Sequence, residues 1–263
     1  KLKSKASNPV SVFDYDDDRD YRLLIACENH RIYAFNGKGK PISGWSFGKT
    51  ELTVTQQIQH FMVNGKDYIV FADANRPYVV DRKGEARVSF SQYFSKSTNN
   101  RFFFDEKNKN HPERLITTDS VGLIKLISFT GKVENLAIKA FSSKHLFDYQ
   151  DIDSDGEKEY LFLDQSHLYV YKQNKNLLFL YKFDAEIFPD ILNINISKSN
   201  LKLGFVSVSN NEVYLLNGNG SLYDGFPLKG CTPFSVGNRP AKGSSFNLVT
   251  GSPSGMLLNY SVK

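Results

Sequence analysis

The chain has 263 residues and very little cysteine, methionine or tryptophan: two, two and one. Cys27 and Cys231 form no metal-ligand spacing and no disulfide framework. They read as two half-buried thiols, with a single disulfide as the alternative. No apolar run approaches the roughly 18 residues that a membrane-crossing helix needs. The first residues, "KLKSKASNPV", lack the apolar stretch of a signal peptide. A soluble chain is expected, and the initial Lys suggests a segment of a longer or processed protein. Charge of one sign is not concentrated either. The formal +5 comes from 33 Lys and Arg against 28 Asp and Glu, spread over turns such as "NGKGKP" and "KNKNHPER". Dispersed lysines with no recognition motif solvate a surface, so no nucleic-acid partner is expected. Helical periodicity longer than a turn or two is also missing.

Aromatics are what the chain has in excess: 21 Phe and 14 Tyr, which favours strands. One phrase recurs, a short aromatic or aliphatic strand followed by a polar or Gly-containing turn: "RIYAFNGKG", "RPYVVDRKG", "LIKLISFTG", "HLYVYKQNK", "EVYLLNGNG" and "GMLLNYSV". Its marker positions are Tyr33, Tyr78, Lys125, Tyr169, Tyr214 and Leu258, a spacing of 44 to 47 residues. A fixed period of this size signals stacked units. Within each copy short strands alternate with turns about every eleven residues, the spacing of an antiparallel meander. Many of these strands are apolar on both faces and must be covered on both, as happens when sheets stack radially.

The expected fold is all-β, a six-bladed β-propeller of four-stranded antiparallel blades forming one domain over 1–263. The blades fall at about 10–50, 54–91, 101–138, 143–183, 190–229 and 232–262. The sixth copy runs out before an outer strand. Residues 1–6, "KLKSKA", resemble the "PLKGCT" that precedes it and are expected to supply that strand and close the ring.

The stretch "DYQDIDSDGEKEYLFLD", 148–164, carries the sharpest chemical signal. Asp151, Asp153 and Asp155 alternate and are followed by Gly156 and Glu159, the first half of an oxygen-ligand pattern selected by Ca²⁺. A helix–loop–helix site would place Glu at position twelve, where Phe162 stands, so this loop joins strands. The alternative is a hydrated Asp/Gly turn held by side-chain-to-backbone hydrogen bonds. Together with "NGNGSLYDGFPLKG", this phrase resembles the FG-GAP or VCBS type of propeller repeat, and more loosely the quinoprotein-like propellers. The resemblance implies a structural Ca²⁺ held by Asp151, Asp153, Asp155, the Glu157 carbonyl and Glu159. It also implies an extracytoplasmic protein that binds partners rather than catalyses. Blade one departs from the pattern. In "FDYDDDRDY" Asp14, Asp16 and Asp18 alternate, but Arg19 replaces the Gly, and its guanidinium is expected to compete with a metal. Blade two has only "NGKDY" and blade five "SKSNLK". The acid–Tyr pairs Asp20–Tyr21, Asp67–Tyr68 and Glu159–Tyr160 persist without the rest of the loop, which suggests a structural role.

Other candidates have plain readings. His60, on an innermost strand, is expected to be a satisfied structural histidine. Trp45 and Phe226 read as packing anchors. The segment 94–114 reads as a long irregular connection able to carry partner contacts. No nucleophile elbow, sialidase box or metal-binding His cluster is present. The expected function is a monomeric, non-enzymatic binding or scaffolding module with a protein or glycan partner on a propeller face. The alternative is a polysaccharide-acting lyase or hydrolase whose acids assemble from several blades.

Overall fold

A computed structural model describes residues 2–90, 92–197, 200–237 and 246–262. Parts of four expectations lie outside these residues: both chain ends, position 91 of blade two, positions 198–199 of the blade-five loop and 238–245 of blade six. Two compact units divide the chain, 1–143 and 144–263. Each contains three antiparallel sheets formed by consecutive strands.

In the first unit, sheet one is β1 (Ser11–Phe13), β2 (Arg22–Ala26) and β3 (Ile32–Asn36). Sheet two is β4 (Gln59–Val63), β5 (Lys66–Ala72), β6 (Pro77–Val80) and β7 (Ala86–Val88). Sheet three is β8 (Phe103–Asp105), β9 (Arg114–Thr118), β10 (Ile124–Ser128) and β11 (Val133–Leu136). In the second unit, sheet four is β12 (Leu146–Gln150), β13 (Glu159–Asp164), β14 (His167–Tyr171) and β15 (Leu177–Lys182). Sheet five is β16 (Leu192–Ser197), β17 (Asn200–Ser207), β18 (Glu212–Leu216) and β19 (Leu228–Lys229). Sheet six is β20 (Ser235–Gly237), β21 (Phe246–Gly251) and β22 (Leu257–Val262).

The recurring phrase has a common register. Each marker residue lies opposite a residue of the preceding strand: Tyr33 faces Ile25, Tyr78 Phe71, Lys125 Thr117, Tyr169 Phe162, Tyr214 Phe205 and Leu258 Thr250. Lys125 is buried where other sheets place an aromatic or Leu. Asp119 at 3.3 Å and the Asn135 side chain at 3.0 Å compensate its charge.

The cores lie between successive sheets. Leu24, Ile32, Ile69 and Phe71 fill the space between sheets one and two, and Val70, Val79, Leu115 and Ile127 that between two and three. Leu161, Leu168, Phe205 and Tyr214 join sheets four and five, and Val213, Leu215, Phe246 and Leu248 join five and six. Sheets covered on both faces explain the nearly unbroken apolar runs of β5 and β13. Trp45 packs on the first of these cores and donates Nε1–H to the Ile32 carbonyl at 2.9 Å, while Phe226 packs in the last.

Side chains also stitch innermost segments to their counterparts one repeat on. Ser11 Oγ donates to the Ile58 carbonyl at 2.7 Å, Gln59 Nε2 to Phe102 at 2.8 Å and Asn99 Nδ2 to Ser143 at 3.1 Å. In sheets two, three and five the turn following the marker strand approaches the preceding repeat so closely that a side chain would collide. A Cβ on Gly131 (φ 90°) would lie 2.0 Å from the Ser89 carbonyl, and one on Gly218 1.8 Å from that of Ile152.

Sheets one and six have three strands among the described residues, not four. After β3 the outer strand is reduced to a bridge between Phe35 and Pro41, flanked by the bonds of Asn36 N–H to the Lys40 carbonyl and Ile42 N–H to the Ala34 carbonyl. The segment expected to close blade six pairs at its end with sheet one. Ala6 bridges Cys27, Ser7 N–H donates to the Ala26 carbonyl, and the Lys5 carbonyl accepts from Glu28 N–H. The segment 94–114 is not irregular throughout: it includes β8, paired with β9. Cys27 and Cys231 are both free thiols.

Candidate functional site

The acidic loop lies between β12 and β13. Gly156 N–H donates to Asp151 Oδ2 at 3.0 Å, Asp155 N–H to Asp153 Oδ1 at 3.3 Å and Glu157 N–H to Asp155 Oδ1 at 2.8 Å. Ser154 and Gly156 have φ of 64° and 91°, the left-handed values that let the chain coil around its own carboxylates. Glu159 opens β13 fully buried, accepting the Ile152 N–H at 3.0 Å through Oε2. Burial pushes its carboxyl up to about 7.

Oxygens of Asp151, Asp153 and Glu159 converge within 4.8 Å of one another. Two of the loop's oxygens, Asp151 Oδ1 and Glu159 Oε1, are buried with no hydrogen-bond partner. Orphaned, converging carboxylate oxygens are the donor set of a hard cation, so these residues fit a Ca²⁺-type ion. Glu157 is exposed and offers only its backbone to such an ion.

A residue not anticipated from the pattern stands in the same place. Lys172, just after β14, donates from Nζ to Asp153 Oδ2 and Asp155 Oδ2, and lies 3.5 Å from Glu159 Oε1. These bonds raise the ammonium pKa and lower that of Asp155.

Blade one repeats the loop with other cations. Arg19 takes the left-handed conformation of Gly156 (φ 67°), and its N–H donates to Asp14 as Gly156 does to Asp151. The guanidinium on Asp16 is not that of Arg19. Arg82 supplies it from sheet two, at 2.7 and 2.8 Å, and also places Nε 2.6 Å from Asp67. Arg22 pairs with Asp20 at 2.6 Å. His60 completes this cluster as a structural group, 2.8 Å from Asp67 and packed on Tyr15 at 4.9 Å. The acid–Tyr pairs thus differ in use: Asp67 and Glu159 are buried acceptors, whereas Asp20 is exposed.

Cavities are formed by described residues of the first unit. One, of about 200 Å³, is lined by Tyr15, Asp16, Asp20, Arg22, Trp45 and Arg82 among others. Burial and the Asp67 charge raise the Tyr15 phenol well above its ordinary value, so its proton stays on. Another is a groove of about 340 Å³ beside β7, lined by Phe47, Arg76, Tyr78, Phe90 and Tyr93. There the Arg76 guanidinium lies 4.8 Å from the centre of the Tyr78 ring and 4.9 Å from that of Tyr93. Tyr93 is 59% exposed.

No protein-family model matches the chain. No curated protein matches it. Solved structures do. BBS1N in complex with ARL6DN has a TM-score of 0.61 at 14% identity, covering 98% of this chain and 79% of that one. Virginiamycin B lyase from Staphylococcus aureus has 0.54 at 13%, covering 100% and 86%. The Pan2 WD40 domain of Neurospora crassa has 0.56 at 13%, covering 98% and 76%. With the six antiparallel sheets, this likeness defines the class: the chain is an all-β, six-bladed propeller. Among the described residues no helix is long and apolar enough to cross a membrane.

Proposed function

We propose that this propeller is a non-enzymatic binding module that works outside the cytoplasm and engages a protein partner through the groove beside β7. The observation that carries the reading is Arg76 stacked between Tyr78 and Tyr93 in an aromatic-lined groove. Tyr and Arg, rigid or stacked and ready to desolvate, dominate the energetic centres of protein interfaces. That BBS1N was solved in complex with ARL6DN supports a propeller in this role. The extracytoplasmic setting rests on the FG-GAP-like acidic loop.

Capture from the native cell-envelope extract tests this, with wild type, Tyr93→Ala and Arg76→Ala compared. The partner is expected with wild type and lost with both variants, while Tyr93→Ala melts as wild type does. Equal capture by all three, or retention of soluble glycans instead of protein, would overturn the reading.

The Tyr15 cavity favours a second reading, a polysaccharide-acting enzyme, because it gathers acids, arginines and a tyrosine. Against it, both guanidiniums are already committed to Asp16, Asp67 and Asp20, and the phenol holds its proton. Polysaccharide cleavage abolished by Tyr15→Phe would establish it.

A further inference from the structure

The turn after each marker strand opens with a residue three positions on. Sheets one, two, three and five have Asn36, Asp81, Ser128 and Asn217 there. The first three cap their own turns: Asn36 Oδ1 accepts from Lys38 and Lys40, Asp81 Oδ1 from Lys83 and Glu85, and Ser128 Oγ from Lys132. Sheet four has Lys172 at this register, and Asn174 takes over the turn bond to Asn176. Sheet five makes the same replacement, Asn219 accepting from Ser221, but the Asn217 side chain stays in its own turn on Ser221 Oγ, whereas that of Lys172 leaves its turn. It lies in the acidic loop of the same sheet.

We infer that Lys172 is the resident counter-cation of this loop, and that a divalent ion of the calcium class enters only by displacing its ammonium. An ammonium has three donors. Two are spent on Asp153 and Asp155, and the nitrogen lies 3.5 Å from Glu159 Oε1. Asp151 Oδ1 and Glu159 Oε1 remain without hydrogen bonds. The ammonium therefore reaches three carboxylates and leaves Asp151 Oδ1 without a bond. Calcium takes about six to eight oxygens at roughly 2.3–2.6 Å and reaches into convergent sets that an ammonium cannot fill. The converging oxygens of Asp151, Asp153 and Glu159 make such a set. Ion and ammonium compete for Asp153 and Glu159, so the loop is held by one or by the other. Lys172 is on a turn and about a quarter exposed, so it can swing into solvent when displaced.

Calorimetric titration of the chelator-treated chain with Ca²⁺ tests this, using wild type, Lys172→Met and Lys172→Arg. Removing the competing charge is expected to tighten Ca²⁺ binding by about tenfold or more. Lys172→Arg, which keeps the charge, is expected to stay close to wild type. Equal affinity in wild type and Lys172→Met, no Ca²⁺ binding by either, or equal gain in both variants would overturn the inference. Should Lys172→Met not fold in chelator, recovery of its melting transition by Ca²⁺ is the expected result. Failure to recover would overturn it.

Discussion

Arg82 of sheet two grips Asp16 of sheet one through two bonds of 2.7 and 2.8 Å while its Nε stays 2.6 Å from Asp67. The guanidinium also lies 4.6 Å from the centre of the Tyr15 ring. Arg82→Met would leave the buried Asp67 with His60 alone. Because a buried carboxylate loses one of its two cationic partners, the chain should lose about 1–3 kcal/mol of stability in urea unfolding. Asp16→Asn, at an exposed carboxylate screened by solvent, should cost distinctly less. Equal losses would show that the exposed arm of the bridge carries the energy.

Lys96 is the buried cation with an unusual environment. Its Nζ donates to the carbonyls of Ser97 and Asn100 and lies 5.0 Å from the centre of the Phe102 ring. Burial lowers its pKa from 10.5 to about 7. Between those values the unfolded chain binds more protons than the folded one, so stability should rise as pH increases from about 7 towards 10. The difference between wild type and Lys96→Met in urea midpoint should change across that window. A difference independent of pH would remove the titration from the account.

Gly131 should tolerate no side chain. Gly131→Ala sets a methyl 2.0 Å from the Ser89 carbonyl at a φ of 90°, and should cost about 2 kcal/mol or more. Gly156→Ala has a similar φ but open space around it, so only backbone strain is added. A smaller loss at Gly131 than at Gly156 in parallel melts would contradict the close approach.

Deleting residues 1–6 removes the bridge of Ala6 to Cys27 and the Lys5 carbonyl bond to Glu28. A domain of this size should melt about 2–4 °C lower for each kcal/mol so lost. An unchanged melting curve would show that the segment contributes nothing, to sheet one or to any other.

The six sheets were legible because the marker position repeats with its strand register, even where Lys125 or Leu258 replaces Tyr. The missing fourth strand of sheet one was less so. "PISGWSF" has a strand's composition, but its pairing with β3 ends at the Phe35–Pro41 bridge and the Ile42 N–H bond to Ala34. At the acidic loop the carboxylates were readable from their spacing. Lys172 was not, because a cation that arrives from a turn thirteen residues beyond Glu159 leaves no mark within the loop phrase itself. Comparing Lys172 with Asn36, Asp81 and Ser128 at the same register would have exposed it. Arg82 was hidden for the same reason one repeat further away, and the Arg76–Tyr93 stack depends on a fold-back that strand periodicity does not encode.

The glycine turns give the chain a direction. Gly84 abuts Phe47, Gly131 abuts Ser89 and Gly220 abuts Phe179, each pressing on the sheet made before it. During synthesis from the N-terminus, every such turn therefore emerges to find its seat already built, and assembly within each unit can advance like successive tiles laid on their predecessors.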